Sequence, residues 1–559
     1  MEKILVRCQN ILRNNDGVVS FDAFEEISKI LFTIMQSKDK LDVNSLKYEY
    51  SKMLQFFSND NINLKDSTIQ EILTELYKIS DLTKKDIKGR VYEIFLGKIF
   101  QSELGQFLTP KTIVKFITQF VYILYGESTK KLNILDPAMG SAGFLIEIIK
   151  LYSDCIIYGF DVNKRILDVG IRNLYLHNID TGNVKLQNFL EENLEENSID
   201  IVVTNPPFGV KESQQKILKN YELSKSKKQI VLEDIFIEKI IKILKPGGIC
   251  GIVLPDGVLN NPTSSKVRKL LLDNCEILAS IDLPENTFKS SGTGCETSIL
   301  FFKKKIKNNN YNIYFGLPNF VGFETKSKNA NEIDDNELPN IIENYGKNDD
   351  NTINLNIDNI DDRLDAKFYL SKYKYKSKTK ISDICDISGN NVSQNSILKY
   401  IQFRDLNENL NQISTYTEYD DISELPNRAK IEVKEGDIIC ARLRQSATKI
   451  SVVESEYDKH IVSNGFVVIR PKSDDIIDSY LISYILRSKF CQNQIKSYTS
   501  GTIMPSISNE NFMNIYIPDI DKNSRIEIRN DSKKIRDIFE TYKIKNKEIV
   551  DKVNKKSDS

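Results

Sequence analysis

A chain of 559 residues exceeds what one hydrophobic core organises, so two to four domains are expected. Its 40% hydrophobic and 28% charged residues are those of an ordinary globular protein. The net charge of −1 does not announce a nucleic-acid binder, and no apolar run approaches the roughly 18 residues needed to span a bilayer.

The opening Met1-Glu-Lys-Ile-Leu5 lacks the apolar stretch and cleavage site of a signal peptide, so no leader and no membrane partner are expected. Eight scattered Cys, with no close pair at ligand spacing, argue for reduced thiols in the cytoplasm and against zinc. Two His, His177 and His460, leave little room for any metal site or catalytic triad.

Residues 1–100 read as a helical domain, with apolar residues at helical spacing from Phe21 to Phe32 and from Ile69 to Tyr77. Residues 101–310 change texture. Short apolar runs at 132–135, 155–160, 199–203, 249–254, 277–281 and 298–302 alternate with helical segments. Such strands, buried on both faces, predict an α/β fold: a doubly wound, Rossmann-like parallel sheet. Residues 311–365, rich in Asn, Asp and Lys, read as a connector. Residues 366–520 read as a second globular domain, α/β or mostly β, with turns at Lys434–Asp437 and at Asn464-Gly465. A run of Lys367, Lys372, Lys374, Lys376, Lys378 and Lys380 is either a strip that docks phosphates or a solvated linker. Residues 521–559 predict a long helix. Ile528, Ile535, Tyr542 and Ile549 recur at sevens, with Ile538, Phe539 and Val553 on a neighbouring stripe, so the helix pairs with a partner helix or packs on its own domain.

Two loops carry chemistry. Strand 132–135 runs into Asp136-Pro-Ala-Met-Gly140-Ser141-Ala142-Gly143, where glycines permit a tight turn and close approach of a ligand. The helix that follows favours an anionic group, which for S-adenosylmethionine is the methionine carboxylate. Asp161, ending the next strand, is placed to accept from both ribose hydroxyls. A nicotinamide dehydrogenase shares these features, although the full G-x-G-x-x-G spacing is missing.

The second loop narrows the choice. Strand 199–203 leads to Asn205-Pro206-Pro207-Phe208, a rigid turn whose carbonyls face outward beside an amide oxygen. An exocyclic amine is a poor nucleophile because its lone pair is delocalised into the ring. The Asn205 side chain and the Pro206 carbonyl can accept both N–H bonds and localise that lone pair toward a methyl donor. Phe208 offers a face on which a flipped base stacks.

These motifs resemble the methylase (modification) subunit of type I restriction–modification systems, gamma class. Glu103-Leu-Gly-Gln106-Phe107-Leu108-Thr109-Pro110-Lys111 is similar to the family's Gly-Gln-aromatic-aromatic-Thr-Pro segment, which lies against the cofactor. Asn173–Asn178, Leu244–Gly248 and Val253–Leu259 match the family's later landmarks. The resemblance implies S-adenosylmethionine as cofactor, with Gln106 to Lys111, Asp136, Gly140 to Gly143, Asp161 and Asn188 around it. It implies adenine N6 in DNA as the methyl acceptor. Leu108 stands where an aromatic is usual. Asp161 stands where Glu is common, with the chemistry preserved at shorter reach. Asn188 stands near the expected acid, and its amide oxygen can still accept from the cofactor's adenine amine.

Past residue 360, Asp362–Tyr369, Gly436–Arg442, Val462–Asn464 and Ser500–Ser508 are similar to landmarks of a target recognition domain in a type I specificity subunit. The implied protein is a methylase fused to half a specificity subunit, with the 521–559 helix as its spacer. Arg442, Arg444, Gln445 and Lys449 are candidates for base or phosphate contact. Double-stranded DNA is the expected partner, with a homodimer through the terminal helix and a separate restriction or specificity subunit as further ones. The alternative function is an amino-methyltransferase of RNA or of a protein glutamine. A rival of another class is a DNA-binding specificity protein with an inactive catalytic domain.

Overall fold

The computed structural model describes residues 2–37, 39–53, 61–79, 109–289, 295–307, 310–325, 331–374, 377–392, 398–407, 412–473, 475–501 and 504–557. The chain divides into two compact units, Met1–Ala366 and Lys367–Ser559.

The first unit opens with helices α1 (Glu2–Asp16), α2 (Ser20–Gln36), α3 (Val43–Met53) and α4 (Asp66–Leu76). Helix α5 (Lys111–Tyr125) then leads into β1 (Leu132–Asp136), α6 (Gly143–Ile149), β2 (Cys155–Asp161), α7 (Lys164–Leu176), β3 (Val184–Leu186) and β4 (Ile199–Thr204). The short strands β5 (Lys211–Glu212) and β6 (Ile230–Val231) form a separate pair. Helix α8 (Leu232–Ile243), β7 (Leu244–Pro255), α9 (Ser265–Asn274), β8 (Cys275–Asp282) and β9 (Thr297–Lys304) follow. The unit closes with β10 (Asn312–Gly316), β11 (Val321–Phe323), β12 (Glu332–Asn336), α10 (Leu338–Glu343) and β13 (Thr352–Asn356).

Nine strands form one sheet in the order β13-β10-β8-β9-β7-β4-β1-β2-β3. The Ile-Asp-Ile-Val-Val-Thr of β4 is buried throughout, as a central strand covered on both faces must be. Gly251 of β7 has a packing reason: a Cβ there would lie 2.9 Å from side chains of both Ile117 and Val121, so its absence lets α5 lie close over the sheet.

The α/β class stands, but the sheet is mixed where an all-parallel one was expected. β9 runs antiparallel between β7 and β8. The described residues of the 283–296 connection hold no α-helix, and a parallel return needs such a crossover. Residues 311–365 are also no mere connector: β10 pairs parallel with β8, and β13 pairs antiparallel with β10. Ile313, Tyr314 and Phe315 are fully buried, and the Tyr314 hydroxyl donates to the Ile341 carbonyl at 2.9 Å. Asp334, Asp335, Asn348, Asp349 and Asp350 of this stretch are exposed, and their number hides a short apolar strand from a composition reading.

Helices α1–α4 lie within the stretch read as helical, of which residues 80–100 are outside the described ones, and they are not independent of the sheet. Ile166, Val169 and Leu176 of α7 join their core. Arg165 adds Nε to Glu25 at 3.1 Å and a guanidinium 4.2 Å from the Phe21 ring centroid.

In the second unit, β14 (Cys385–Ile387), β24 (Phe466–Pro471), β21 (Ile438–Ala441) and β22 (Ile450–Val452) make an antiparallel four-stranded sheet. A five-stranded sheet runs from β15 (Asn390–Asn391) through β20 (Ala429–Glu432), β23 (Ile461–Ser463) and β16 (Lys399–Ile401) to β19 (Thr417–Glu418). The turn read at Lys434–Asp437 is present: Gly436 takes φ of 85°, and buried Asp437 accepts from Lys434 N at 2.8 Å and Arg470 Nε at 2.8 Å. Helix α11 (Ile476–Leu486) packs on the terminal helix α12 (Lys522–Ser557).

Candidate active site

The site lies at the carboxyl ends of β1, β2 and β4, where a doubly wound sheet opens. Asp136 ends β1 with no solvent exposure, and its Oδ1 accepts from Ala138 N at 3.1 Å. Burial pushes its carboxyl up to about 7, against the Ala138 N–H. The chain then turns sharply. Met139 N donates to Phe160 O at 2.9 Å, which ties the loop to β2, and Ala142 N donates to Met139 O at 2.8 Å. Gly140 and Ala142 take φ of 50° and 66°. The alanine is held in a region that favours glycine.

Three features prop this loop from behind. Met139 is 3% exposed. A Cβ on Gly170 of α7 would lie 2.5 Å from Met139 Cε and 2.6 Å from Gly140 O, so the helix meets the loop backbone only because that residue is glycine. Asn173, one turn further along α7, donates Nδ2 to Ser141 O at 2.9 Å.

Asp161 closes the loop from the other side. Its Oδ2 accepts from Gly140 N at 3.0 Å and its Oδ1 from Asn163 N at 2.8 Å. Burial raises its pKa, opposed by the N–H groups of Asn163, Gly140 and Val162. A carboxylate has about four acceptor positions, so these N–H groups do not exhaust it and it can still accept from a diol. Val162 beside it is 71% exposed, an apolar side chain left open at a strand end. Asn188 follows β3 in the turn 188–192 and accepts from Leu190 N at 3.0 Å.

The second loop leaves β4. Asn205 Nδ2 donates to Thr109 Oγ1 at 3.0 Å, while Asn205 Oδ1 is buried without a hydrogen-bond partner. One hydroxyl thus fixes the amide plane and leaves the acceptor open. A buried orphan acceptor costs roughly 1–3 kcal/mol, which a ligand N–H recovers. Pro206 is buried and Pro207 exposed. Phe208 packs edge-on against Phe288, centroids 5.7 Å apart at 87°. Gly209 takes φ of 68° and donates its N–H to Glu233 Oε1 at 2.5 Å. Leu232 N donates to Val210 O at 2.8 Å, so α8 holds the loop where it leaves the site.

The predicted residues Thr109, Pro110, Lys111, Asp136, Gly140, Ser141, Ala142, Gly143, Asp161, Asn188 and Asn205–Phe208 occupy these two loops, their flanking strand ends and the start of α5. Gln106, Phe107 and Leu108 lie outside the described residues. Sequence reasoning passed over Gly170, Glu233 and Phe288. It also took Asn173 only as a family landmark, with no role. A signal for Glu233 was present: at helical spacing it falls among Phe236, Ile237 and Ile240, away from the Asp234, Glu238 and Lys242 stripe of α8.

In the second unit the four candidate DNA contacts separate. Arg442 is turned inward: Nε donates to Phe466 O at 2.9 Å and Nη1 to Ile507 O at 3.2 Å, with Asn509 also bonded. Lys449 Nζ donates to Phe403 O at 2.9 Å. Both staple turns of their own unit. Gln445 is exposed, and Arg444 lies beside it in a short 3-10 turn.

This arrangement has counterparts. The methylase subunit of the type I restriction enzyme EcoEI of Escherichia coli is 28% identical over 313 residues, covering 52% of this chain and 61% of that protein. The EcoKI methylase subunit of Escherichia coli strain K12 is 26% identical over 369 residues, covering 54% and 66%. The chain therefore spans somewhat under two thirds of the length of these curated relatives. A solved structure of the type IIG restriction endonuclease BpuSI is alike in fold, with a TM-score of 0.50 at 14% identity, covering 91% of this chain and 71% of that one. Residues 83–384, more than half of the chain, match the N-6 DNA methylase family, and the chain belongs to that family.

Proposed function

We propose that this protein is a site-specific DNA methyltransferase that transfers a methyl group from S-adenosylmethionine to N6 of adenine, as the modification component of a restriction–modification or related system. The observation that carries the reading is Asn205: an amide locked by Thr109, with its oxygen buried and unpaired beside a loop that fits an adenosine-bearing cofactor. The fit rests on the donor set. Asp161 retains acceptor positions for a ribose diol, and Asn188 flanks it for the adenine amine.

S-adenosylmethionine, when bound, supplies an electrophilic methyl. The residues do the rest by positioning and electrostatics. Asn205 Oδ1 and the Pro206 carbonyl accept the two N–H bonds of the target amine, which draws its lone pair out of the ring and aims it. Phe208, itself held by Phe288, stacks on the flipped base. Glu233 fixes the far end of the loop through Gly209. Preorganised acceptors of this kind are worth about 100- to 1,000-fold each.

The second unit serves double-stranded DNA recognition in this reading, with Arg442, Arg444, Gln445 and Lys449 the candidate contacts. A homodimer through α12 and a separate restriction or specificity subunit are its further proposed partners. Ile538, Tyr542 and Ile549, exposed at 66%, 65% and 58%, support the first.

The test is to incubate the purified chain with methyl-labelled cofactor and DNA, RNA or ribosomal protein, then map the modified atom. Label on adenine N6 of DNA, lost in Asn205→Ala, is expected. Label that goes only to RNA or protein overturns the reading, and an Asn205→Ala variant with full DNA methylation overturns the mechanism.

A further inference from the structure

Lys239 sits in the middle of α8 and is only 7% exposed. Its ammonium donates to the carbonyl of Phe189 and, at 2.6 Å, to that of Glu192. It also stands 4.6 Å from the Phe189 ring centroid. All three contacts fall on one turn, 188–192, whose first residue is Asn188. The Tyr221 hydroxyl donates to Leu190 O in the same turn at 2.8 Å. Taking an ammonium out of water costs several kcal/mol, and a plain core position would hold Leu or Met. Here the buried charge is spent on gripping backbone carbonyls of a turn that no regular strand pairing holds.

The turn is tied to the diol-binding carboxylate as well. The Phe189 ring lies 6.2 Å from that of Phe160, tilted by 30°, and 5.2 Å from that of Phe236 on α8. Phe160 immediately precedes Asp161. Gln187 N donates to Asp161 O at 3.0 Å, which fixes the strand tip, and Phe189, gripped by Lys239, sets how the turn beyond it lies against β2.

We propose that Lys239 is a positioning residue for the adenosine end of the cofactor, holding the 188–192 turn against the tip of β2 so that Asn188 and Asp161 keep one spacing. This rests on the cofactor reading above. It gives cofactor affinity a particular pH dependence. Burial pushes the ammonium down to about 8; Glu192 opposes the shift and Lys242 adds to it. Those are the charged groups around it, Glu192 paired with Lys185 of β3 and Lys242 with Glu238 of its own helix. The charged form grips the carbonyls and the ring face more strongly, so cofactor binding favours the proton. Affinity is full below that value and falls as the pH rises through it.

The experiment titrates S-adenosylmethionine into the full chain by calorimetry at pH 7 and pH 9, using wild type, Lys239→Met and Lys239→Arg. At pH 7 the Met variant binds about tenfold more weakly, while kcat at saturating cofactor and KM for DNA stay within about twofold. The Met-to-wild-type ratio of Kd shrinks toward one at pH 9, and taking the ratio cancels titration of the cofactor's own amine. The Arg variant remains charged, so its affinity relative to wild type rises from pH 7 to pH 9. This comparison decides the matter if the Met variant does not fold. Equal binding by the Met variant at pH 7, or ratios that do not move with pH, overturns the role of Lys239 alone. Absence of binding by wild type overturns the cofactor reading itself, and the inference with it.

Discussion

Asn205 meets two demands with one amide: its nitrogen is anchored and its oxygen is left free. An unanchored amide rotates, and half its orientations present a donor where an acceptor is needed. Thr109→Val removes the anchor at nearly constant volume. Steady-state kinetics is expected to give a kcat at saturating cofactor lower by about tenfold, the equivalent of one lost hydrogen bond. Asp136 makes a different case. Its carboxyl is raised to about 7 by burial, so the folded state holds a proton that the unfolded chain releases near 4. The stability this lends is full below about pH 4 and is lost as pH rises through about 7. In Asp136→Asn the folded state has no such proton to lose. The melting temperature of the variant, relative to wild type, should therefore climb between pH 5 and pH 8 in parallel thermal scans. At this scale Asn205 was legible because four residues in a row carry its chemistry. The role of Glu233 was not: helical spacing marks it as buried, but its partner is a backbone N–H 24 positions away.

At the level of elements, the cofactor loop is shaped less by its own glycines than by what stands behind it. Met139 fills the space left by Gly159 and Gly170, and Asn173 holds the Ser141 carbonyl. Gly170→Ala adds one methyl at 2.6 Å from Gly140 O, and a helix backbone cannot yield to it cheaply. Overpacking of this kind costs about 1–3 kcal/mol. Calorimetry should show cofactor affinity reduced at least tenfold, with Asn205-dependent chemistry unaffected once cofactor saturates. A strand–glycine loop–helix pattern can be read from spacing. The glycine on the neighbouring helix cannot, since nothing local marks it as facing a loop carbonyl. The antiparallel course of β9 escaped for a related reason: a buried strand has the same apolar pattern whichever way it runs.

For the whole molecule, the chain divides into two compact units, Met1–Ala366 and Lys367–Ser559. The bundle of α1–α4 shares its core with α7, so removing it would strip Ile166, Val169 and Leu176 of their cover. Helix α12 packs within its own unit, and its pairing with a partner helix is a proposal. Arg529 Nε meets Asp478 at 2.9 Å and Lys543 Nζ meets Glu456 at 2.9 Å within its own unit, while Ile538, Tyr542 and Ile549 remain open to solvent. Sedimentation at micromolar concentration should give a dimer for the wild type and a monomer for the Ile538→Asp, Tyr542→Asp double variant, with the melting temperature of both within a few degrees. A wild-type monomer would remove the dimer from the proposal.

What the sequence determined by itself is the local chemistry: two loops at strand ends, the acid of β2, the tetrapeptide after β4, and an α/β alternation that places them on one edge of a sheet. Those features are encoded in contiguous residues, through side-chain periodicity and turn geometry. What only the tertiary structure decided is which groups hold them. Thr109 lies 96 positions from Asn205, Lys239 lies 50 from Phe189, and Asn173 lies 32 from Ser141. Strand direction and the place of β10 and β13 belong to the same class, because they depend on crossover lengths and on burial against distant partners. The inward turn of Arg442 belongs there too: a guanidinium bonds whichever carbonyls the fold brings to it, and no neighbouring residue announces them.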